Sequence, residues 1–241
     1  PNVYMISNSL DQAVADPFKS RKAINSIYGA TQWSYKERVF LDITGRNDWS
    51  STLPYANNSY FYPSVSTSLL LNEMFTLPSS VSLAKFRLSW AQVGNDTRPY
   101  QIDKYYDKIF SNSFTNTSIL HNADLKPELI SSYEAGLDVR LLRNRLTMDM
   151  AVYSNNSRNQ ILALPLDPVS GYSFAMVNAG LINSRGVEVT LAGKPLSSKN
   201  FTWTTTLTWS MNRSYVKELK EGIPSHIIAS HESNVTIEAR V

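Results

Sequence analysis

The residues best suited to proton transfer or metal binding here are three histidines, His121, His226 and His231. Their spacing assembles no site. His226 and His231 lie five apart, off any shared helix or strand face, so they do not present two ring nitrogens to one ion. Serine and aspartate are abundant, but no G-x-S-x-G elbow accompanies them. Carboxylates such as Asp42 and Asp48 read as parts of a hydrated surface shared with Arg46. There are no cysteines, which removes disulfides and thiolate metal sites. The sequence therefore implies no catalytic residue, no metal and no cofactor. What remains is binding chemistry. Trp49 and Tyr60, with Tyr55 and Tyr62 beside them, are suited to stacking on a ring or to packing a loop. Asn95, Asp96 and Arg98, and Arg158, Asn159 and Gln160, are suited to hydrogen-bonding a solute or a partner, or to bracing their own loops.

The elements that carry these residues are strands. From Ser131 to Tyr153 two alternating runs flank the basic turn Leu142-Arg143-Asn144-Arg145. Tyr133, Ala135, Leu137 and Val139 share one face; Glu134, Gly136, Asp138 and Arg140 share the other. Leu146, Met148, Met150 and Val152 oppose Thr147, Asp149, Ala151 and Tyr153. A period of two is the strand period, so the stretch predicts an antiparallel hairpin, apolar on one face and charged on the other. Such a hairpin fits a soluble sandwich, its apolar face buried on a second sheet. It also fits a membrane barrel, that face turned to lipid.

Similar strands are predicted from about Ile24 to Ser34, Arg38 to Arg46, Tyr62 to Leu71, Lys85 to Val93, Val187 to Ala192, and Phe201 to Asn212. In the last, Trp203, Leu207, Trp209 and Met211 oppose a row of threonines. Tyr35, Phe40, Phe75, Trp90, Trp203 and Trp209 read as girdle or lipid-facing aromatics. Every second connection is long, at about 14, 35 and 30 residues against about 3, 11, 4 and 7, the long ones being Asn47–Phe61, Gly94–Glu128 and Asn155–Ser184. Short turns on one rim and long loops on the other favour the barrel. So do wet rows such as Asp42, Arg46, Glu134, Asp138, Arg140, Asp149 and Glu188, which no sandwich core would accept. A soluble or surface glycan-binding sandwich is the second reading, and an enzyme, lacking a clustered acid, base or nucleophile, is the third. The chain has 241 residues and opens at Pro1 without a signal peptide, so it reads as a mature, trimmed or excised piece. Its net charge of +3, with no Lys/Arg block, gives no case for nucleic acid.

Several motifs, in order, resemble the SusC/RagA-like family of TonB-dependent outer-membrane transporters. They are Gly45-Arg46-Asn47-Asp48-Trp49-Ser50-Ser51, Tyr62-Pro63-Ser64-Val65-Ser66, and Leu88-Ser89-Trp90-Ala91-Gln92-Val93-Gly94-Asn95-Asp96. Leu125-Lys126-Pro127-Glu128, Asn159-Gln160-Ile161-Leu162, Asn178-Ala179-Gly180 and Asn183-Ser184-Arg185-Gly186-Val187-Glu188 complete the set. The resemblance implies an all-β, antiparallel up-and-down transmembrane barrel of 22 strands, of which this chain supplies about eight. All of residues 1–241 would belong to that one barrel domain, without the plug domain or the TonB box. The resemblance further implies residence in the bacterial outer membrane, in contact with its lipid. It implies a SusD-like lipoprotein over the mouth, drive from TonB–ExbB–ExbD through the plug, and import of oligosaccharides or peptides. Glycines 94, 180 and 186 in these motifs read as folding positions rather than binding ones.

Overall fold

A computed structural model describes residues 19–110, 113–219, 225–231 and 235–240. The main strands are β1 (Ile24–Tyr35), β2 (Val39–Ser50), β3 (Ser59–Leu70) and β4 (Val81–Asn95). A single helical turn, α1 (Leu71–Met74), joins β3 to β4. Three short strands follow, β5 (Tyr106–Phe110), β6 (Ser113–Asn116) and β7 (Ile119–Leu120). Then come β8 (Glu128–Leu141), β9 (Leu146–Pro165), β10 (Phe174–Ser197) and β11 (Thr202–Glu218). The chain closes with β12 (Ser225–His231) and β13 (Val235–Arg240). One sheet runs β1-β2-β3-β4-β8-β9-β10-β11, with β7 paired to β10. Every neighbour along that path is antiparallel, and each strand pairs with the next long strand in the chain, so the topology is up-and-down.

The register shows why the sheet has two chemistries. Leu41, Thr67, Leu88, Ala135, Val152, Val187 and Met211 fall in one cross-strand row. Val39, Leu69, Phe86, Leu137, Met150, Val189 and Trp209 fall in the next. These rows share the outer face. Many of their side chains are open, Trp209 and Met211 among them. The opposite face carries Asp42, Lys85, Arg87, Glu134, Asp138, Asp149 and Glu188. On it the Arg87 guanidinium crosses the intervening strand β8 to donate to Asp149 at 3.0 and 3.2 Å. It passes over Gly136, where a Cβ would lie 2.8 Å from the guanidinium. Gly136 is thus the gap that lets a β4 cation reach a β9 carboxylate. Gly186 has the same kind of role, since the Tyr153 ring lies where its Cβ would be.

Among the described residues the other sheets are two-stranded ribbons, β5–β6 and β12–β13. No second sheet covers the apolar face, and the sandwich reading fails on that point. Three further expectations need correction. Phe40 stands directly opposite Ser34 and Ser68, on the Asp42 face, so it is a lumen-side residue and not a lipid-facing one. The stretch Asn155–Ser184 is mostly strand, because β9 and β10 pair up to Pro165 and Phe174 and only residues 166–173 connect them. Likewise β2 and β3 lengthen, which leaves 51–58 between them. Beyond the membrane neither face meets lipid, so the alternation that marks a spanning strand disappears while the backbone pairing continues. Residues 96–127 remain a long connection and hold β5, β6 and β7. The weakly patterned tail beyond Asn212 carries β11 on to Glu218. The side chains of His226 and His231 lie outside the described residues.

Candidate functional site

The rim at the long-connection end is organised around buried side chains. Leu53, Tyr60, Leu125 and Met176 form its core, with Tyr62, Ile102, Ile119 and Ile161 packed against them. Leu125 is fully covered. Tyr60 is 7 % exposed and stacks with Tyr62 at 6.0 Å between ring centroids. Its ring also occupies the space above Gly94, where a Cβ would fall 2.3 Å from it. That wedge fits the end of the β3–β4 pairing at Ser64–Ala91, one residue short of Pro63, which has no N–H to give.

Polar side chains tie this core down. The Asp48 carboxylate accepts from Arg46 at 2.8 Å and from the Tyr62 hydroxyl at 2.5 Å. The Asp96 carboxylate accepts from Lys22 and Ser50, each at 2.5 Å, and from Thr52 at 3.1 Å. Burial acts to raise the Asp96 pKa, but the hydrogen bonds from Lys22, Ser50 and Thr52 and the lysine charge outweigh it and hold the carboxyl below its ordinary value. The same setting pushes the Tyr60 phenol up to about 12, first through burial and then through the Asp96 and Asp48 charges. Asn95 donates to Glu128 at 3.0 Å, and the other Glu128 oxygen accepts the Ile161 N–H at 2.9 Å. Asn178 accepts the Lys126 N–H at 2.8 Å while donating to the Lys126 and Asn159 carbonyls at 2.7 and 2.9 Å. Asn57 donates to the Leu125 carbonyl at 3.2 Å. The motif residues thus converge on one another.

The eight binding candidates fall into three groups. Tyr60, Asn95, Asp96 and Asn159 serve the rim's own packing and hydrogen bonding. Trp49, 41 % exposed, lies on the outer face, as its alternation with Leu41 and Ile43 requires. Arg158 is also exposed on the outer side, four residues above Ser154 on β9. Arg98 is exposed on the long connection, and Gln160 is half-buried opposite Ala179. Sequence reasoning passed over Leu125, Met176 and Asn178 as organisers. Their signal lay in the motifs that contain Leu125 and Asn178; Met176, lying outside any motif, had none. Beside the Asp96 cluster a hollow of about 590 Å³ is lined by Ser51, Thr52, Pro99, Tyr100, Ile102, Asp103 and Tyr105. Its walls mix phenol rings with hydroxyls and a carboxylate. Behind Tyr105 sits His121, with ring centroids 5.1 Å apart. Among the described residues no group of three or more histidines and carboxylates could hold a metal.

A single-layer, up-and-down sheet with an apolar outside, a charged inside and a braced rim defines the wall of an outer-membrane β-barrel. The family model described as TonB dependent receptor-like, beta-barrel, matches residues 2–232, and the chain belongs to that family. It is 28 % identical over 207 residues to TonB-dependent receptor P39 of Formosa agariphila, covering 83 % of this chain and 20 % of that protein. It is 25 % identical over 211 residues to TonB-dependent receptor SusC of Bacteroides thetaiotaomicron, covering 81 % and 21 %. Among solved structures it matches the RagAB peptide transporter with a TM-score of 0.80 at 20 % identity, over 91 % of this chain and 25 % of that one. The siderophore receptor PirA from Acinetobacter baumannii aligns with a TM-score of 0.56 at 17 % identity, over 87 % and 30 %. The chain spans about a fifth of the length of the curated relatives it matches. It is a SusC/RagA-like piece of a receptor barrel that sits in the outer membrane.

Proposed function

We propose that the chain is part of the wall of an energy-coupled importer of oligosaccharides or peptides, and that residues 1–241 all belong to one barrel domain. The observation that carries the reading is the family match over residues 2–232 on a sheet whose two faces differ in the barrel sense. The charged inner face, with Arg87, Glu134, Asp149 and Glu188, hydrates a passing solute and holds it weakly. The hollow beside Tyr100 and Tyr105, with Arg98 on the same connection, shapes the outer vestibule. Stacking on phenol rings and hydrogen bonding to hydroxyls suit both sugars and peptides. A SusD-like surface lipoprotein lids that vestibule, and TonB–ExbB–ExbD supplies the energy through a plug domain; likeness to SusC and to the RagAB peptide transporter supports both.

The test is uptake by cells expressing the full-length receptor as their only importer for a panel of labelled oligosaccharides and peptides. Accumulation of one class, abolished by a protonophore and by removal of the SusD-like lipoprotein, is the expected result. Accumulation that persists without the proton gradient would overturn the energy-coupled reading.

A further inference from the structure

Arg185 on β10 and Arg213 on β11 stand directly opposite each other in the ladder. They share the outer face with Val187 and Met211, the next pair down. Like charges placed opposite on one sheet face repel. Both side chains are exposed, and no carboxylate of the described residues forms a salt bridge with either. Arg213 lies 11 residues beyond Thr202, where β11 starts at the short-turn end. A tilted strand needs ~9–11 residues to cross the bilayer. The pair therefore sits where the apolar band ends at the outer leaflet, aliphatic stems along the band and guanidinium groups at headgroup level.

A second feature points to the same place. A shallow apolar groove of about 590 Å³ runs across the outer face, lined by Leu41, Val65, Thr67, Leu88, Trp90, Tyr133, Ala135, Val152 and Ser154 among others. It crosses five strands, from β2 to β9, so at ~4.8 Å per strand it is ~19 Å long. Small side chains at Ala135 and Thr67 open its floor. Its upper end is Ser154, which pairs with Arg185. The short turns fall progressively lower in the register from β1–β2 to β10–β11, so the groove descends from the arginine pair into the bilayer.

We infer that Arg185 and Arg213 bind the phosphate groups of lipopolysaccharide, the glycolipid of the outer leaflet, with one of its acyl chains lying in the adjoining groove. Two guanidinium forks side by side offer paired donors to phosphate oxygens, and a bound phosphate removes their mutual repulsion. The fit is in both charge and shape: a phosphorylated headgroup at the cations and a hydrocarbon chain sloping away from them.

The test is native mass spectrometry of the full-length receptor in detergent with bisphosphorylated lipid A, dephosphorylated lipid A or inorganic phosphate. The parent protein should retain bisphosphorylated lipid A in preference to the dephosphorylated form. R185S/R213S should weaken that binding roughly tenfold or more, and R185K/R213K should restore part of it. Ala135→Leu, which fills the groove and keeps both arginines, should weaken both lipids alike and keeps the inference testable should the double serine variant fail to fold. Equal retention of the two lipids by the parent, or unchanged binding by a folded R185S/R213S receptor, would overturn the assignment. Displacement of the lipid by millimolar inorganic phosphate would overturn it in favour of a free-phosphate site.

Discussion

Asn159 and Gly180 face each other between the Gln160–Ala179 and Arg158–Leu181 pairs of the β9–β10 ladder, and both have left-handed backbones, φ +56° and +84°. Two such residues at one level bend both strands of the hairpin together. The bend brings the Asn159 carbonyl within 2.9 Å of the Asn178 amide, which is itself clamped to Lys126. A β-branched side chain pays a steric penalty in this region, about 1–2 kcal/mol per residue. Gly180→Val should therefore loosen the rim hairpin, while Asn159→Gly should be tolerated. Hydrogen exchange over residues 160–178 of the full-length receptor reads the difference. Protection unchanged in Gly180→Val would mean that the bend is not held by this pair.

Gly94 and Tyr60 are coupled through contact rather than through torsion. A methyl at Gly94 would meet the Tyr60 ring at 2.3 Å, and that ring is enclosed by Leu53, Leu125 and Met176. Overfilling a packed core costs about 1–3 kcal/mol. Gly94→Ala is expected to destabilise the rim by that order, and Tyr60→Leu to cost it packing as well. Combining the two should cost less than their sum, since the smaller side chain vacates the methyl's space. A double-variant cycle on proteolysis of the 96–127 connection measures this coupling, and strict additivity would contradict it.

How far the sequence could be read depends on where a residue lies. Within the bilayer one face must be apolar and the other wet, so Leu137, Met150 and Val189 announce themselves by alternation, and the register bears them out. Above the bilayer no such rule applies, and β9 and β10 past Asn155 and Ser184 were invisible as strands. Phe40 departs for a different reason: an aromatic ring suits the lipid face, but alternation with Leu41 turns it inward. The rim candidates are polar or aromatic residues near loops, types that serve binding and bracing alike. Half of them, Tyr60, Asn95, Asp96 and Asn159, proved to be bonded or packed within the rim. A side chain's hydrogen-bond partners 30 or more residues away, such as Lys22 and Asp96, leave no local trace in a sequence.

The Asp96 cluster predicts a response to pH with a definite sign. Its carboxyl is held below its ordinary value, so the stability it adds is complete above the unfolded carboxylate pKa, ~3.9. That stability is lost as pH falls through the lower folded value. Tyr60 has the opposite sense. Its phenol is raised to about 12, so its contribution is complete below ~10 and is lost between there and about 12. Limited proteolysis of the rim in the full-length receptor should quicken at both extremes. Asp96→Asn should speed cleavage at neutral pH and flatten the acid limb. An acid limb as steep in that variant as in the parent would assign the transition to another group.

The two faces of β9 allow the orientation of the wall to be tested by charge alone. Met150 points outward in a row with Leu137, Val189 and Trp209, near mid-membrane, whereas Ala151 points inward and stands opposite Glu188. An arginine on the lipid face at that depth costs about 2–4 kcal/mol. Met150→Arg should lower the stability of the folded receptor in lipid vesicles by that amount, read from its urea midpoint at constant slope. Ala151→Arg meets water and the Glu188 carboxylate, with the Arg87 guanidinium over Gly136 already paired to Asp149, so its midpoint should shift much less. Equal losses at both positions would describe a sheet buried on both sides and would contradict a lipid-facing wall. The comparison holds residue type and depth nearly constant, so the face is what remains to account for the difference.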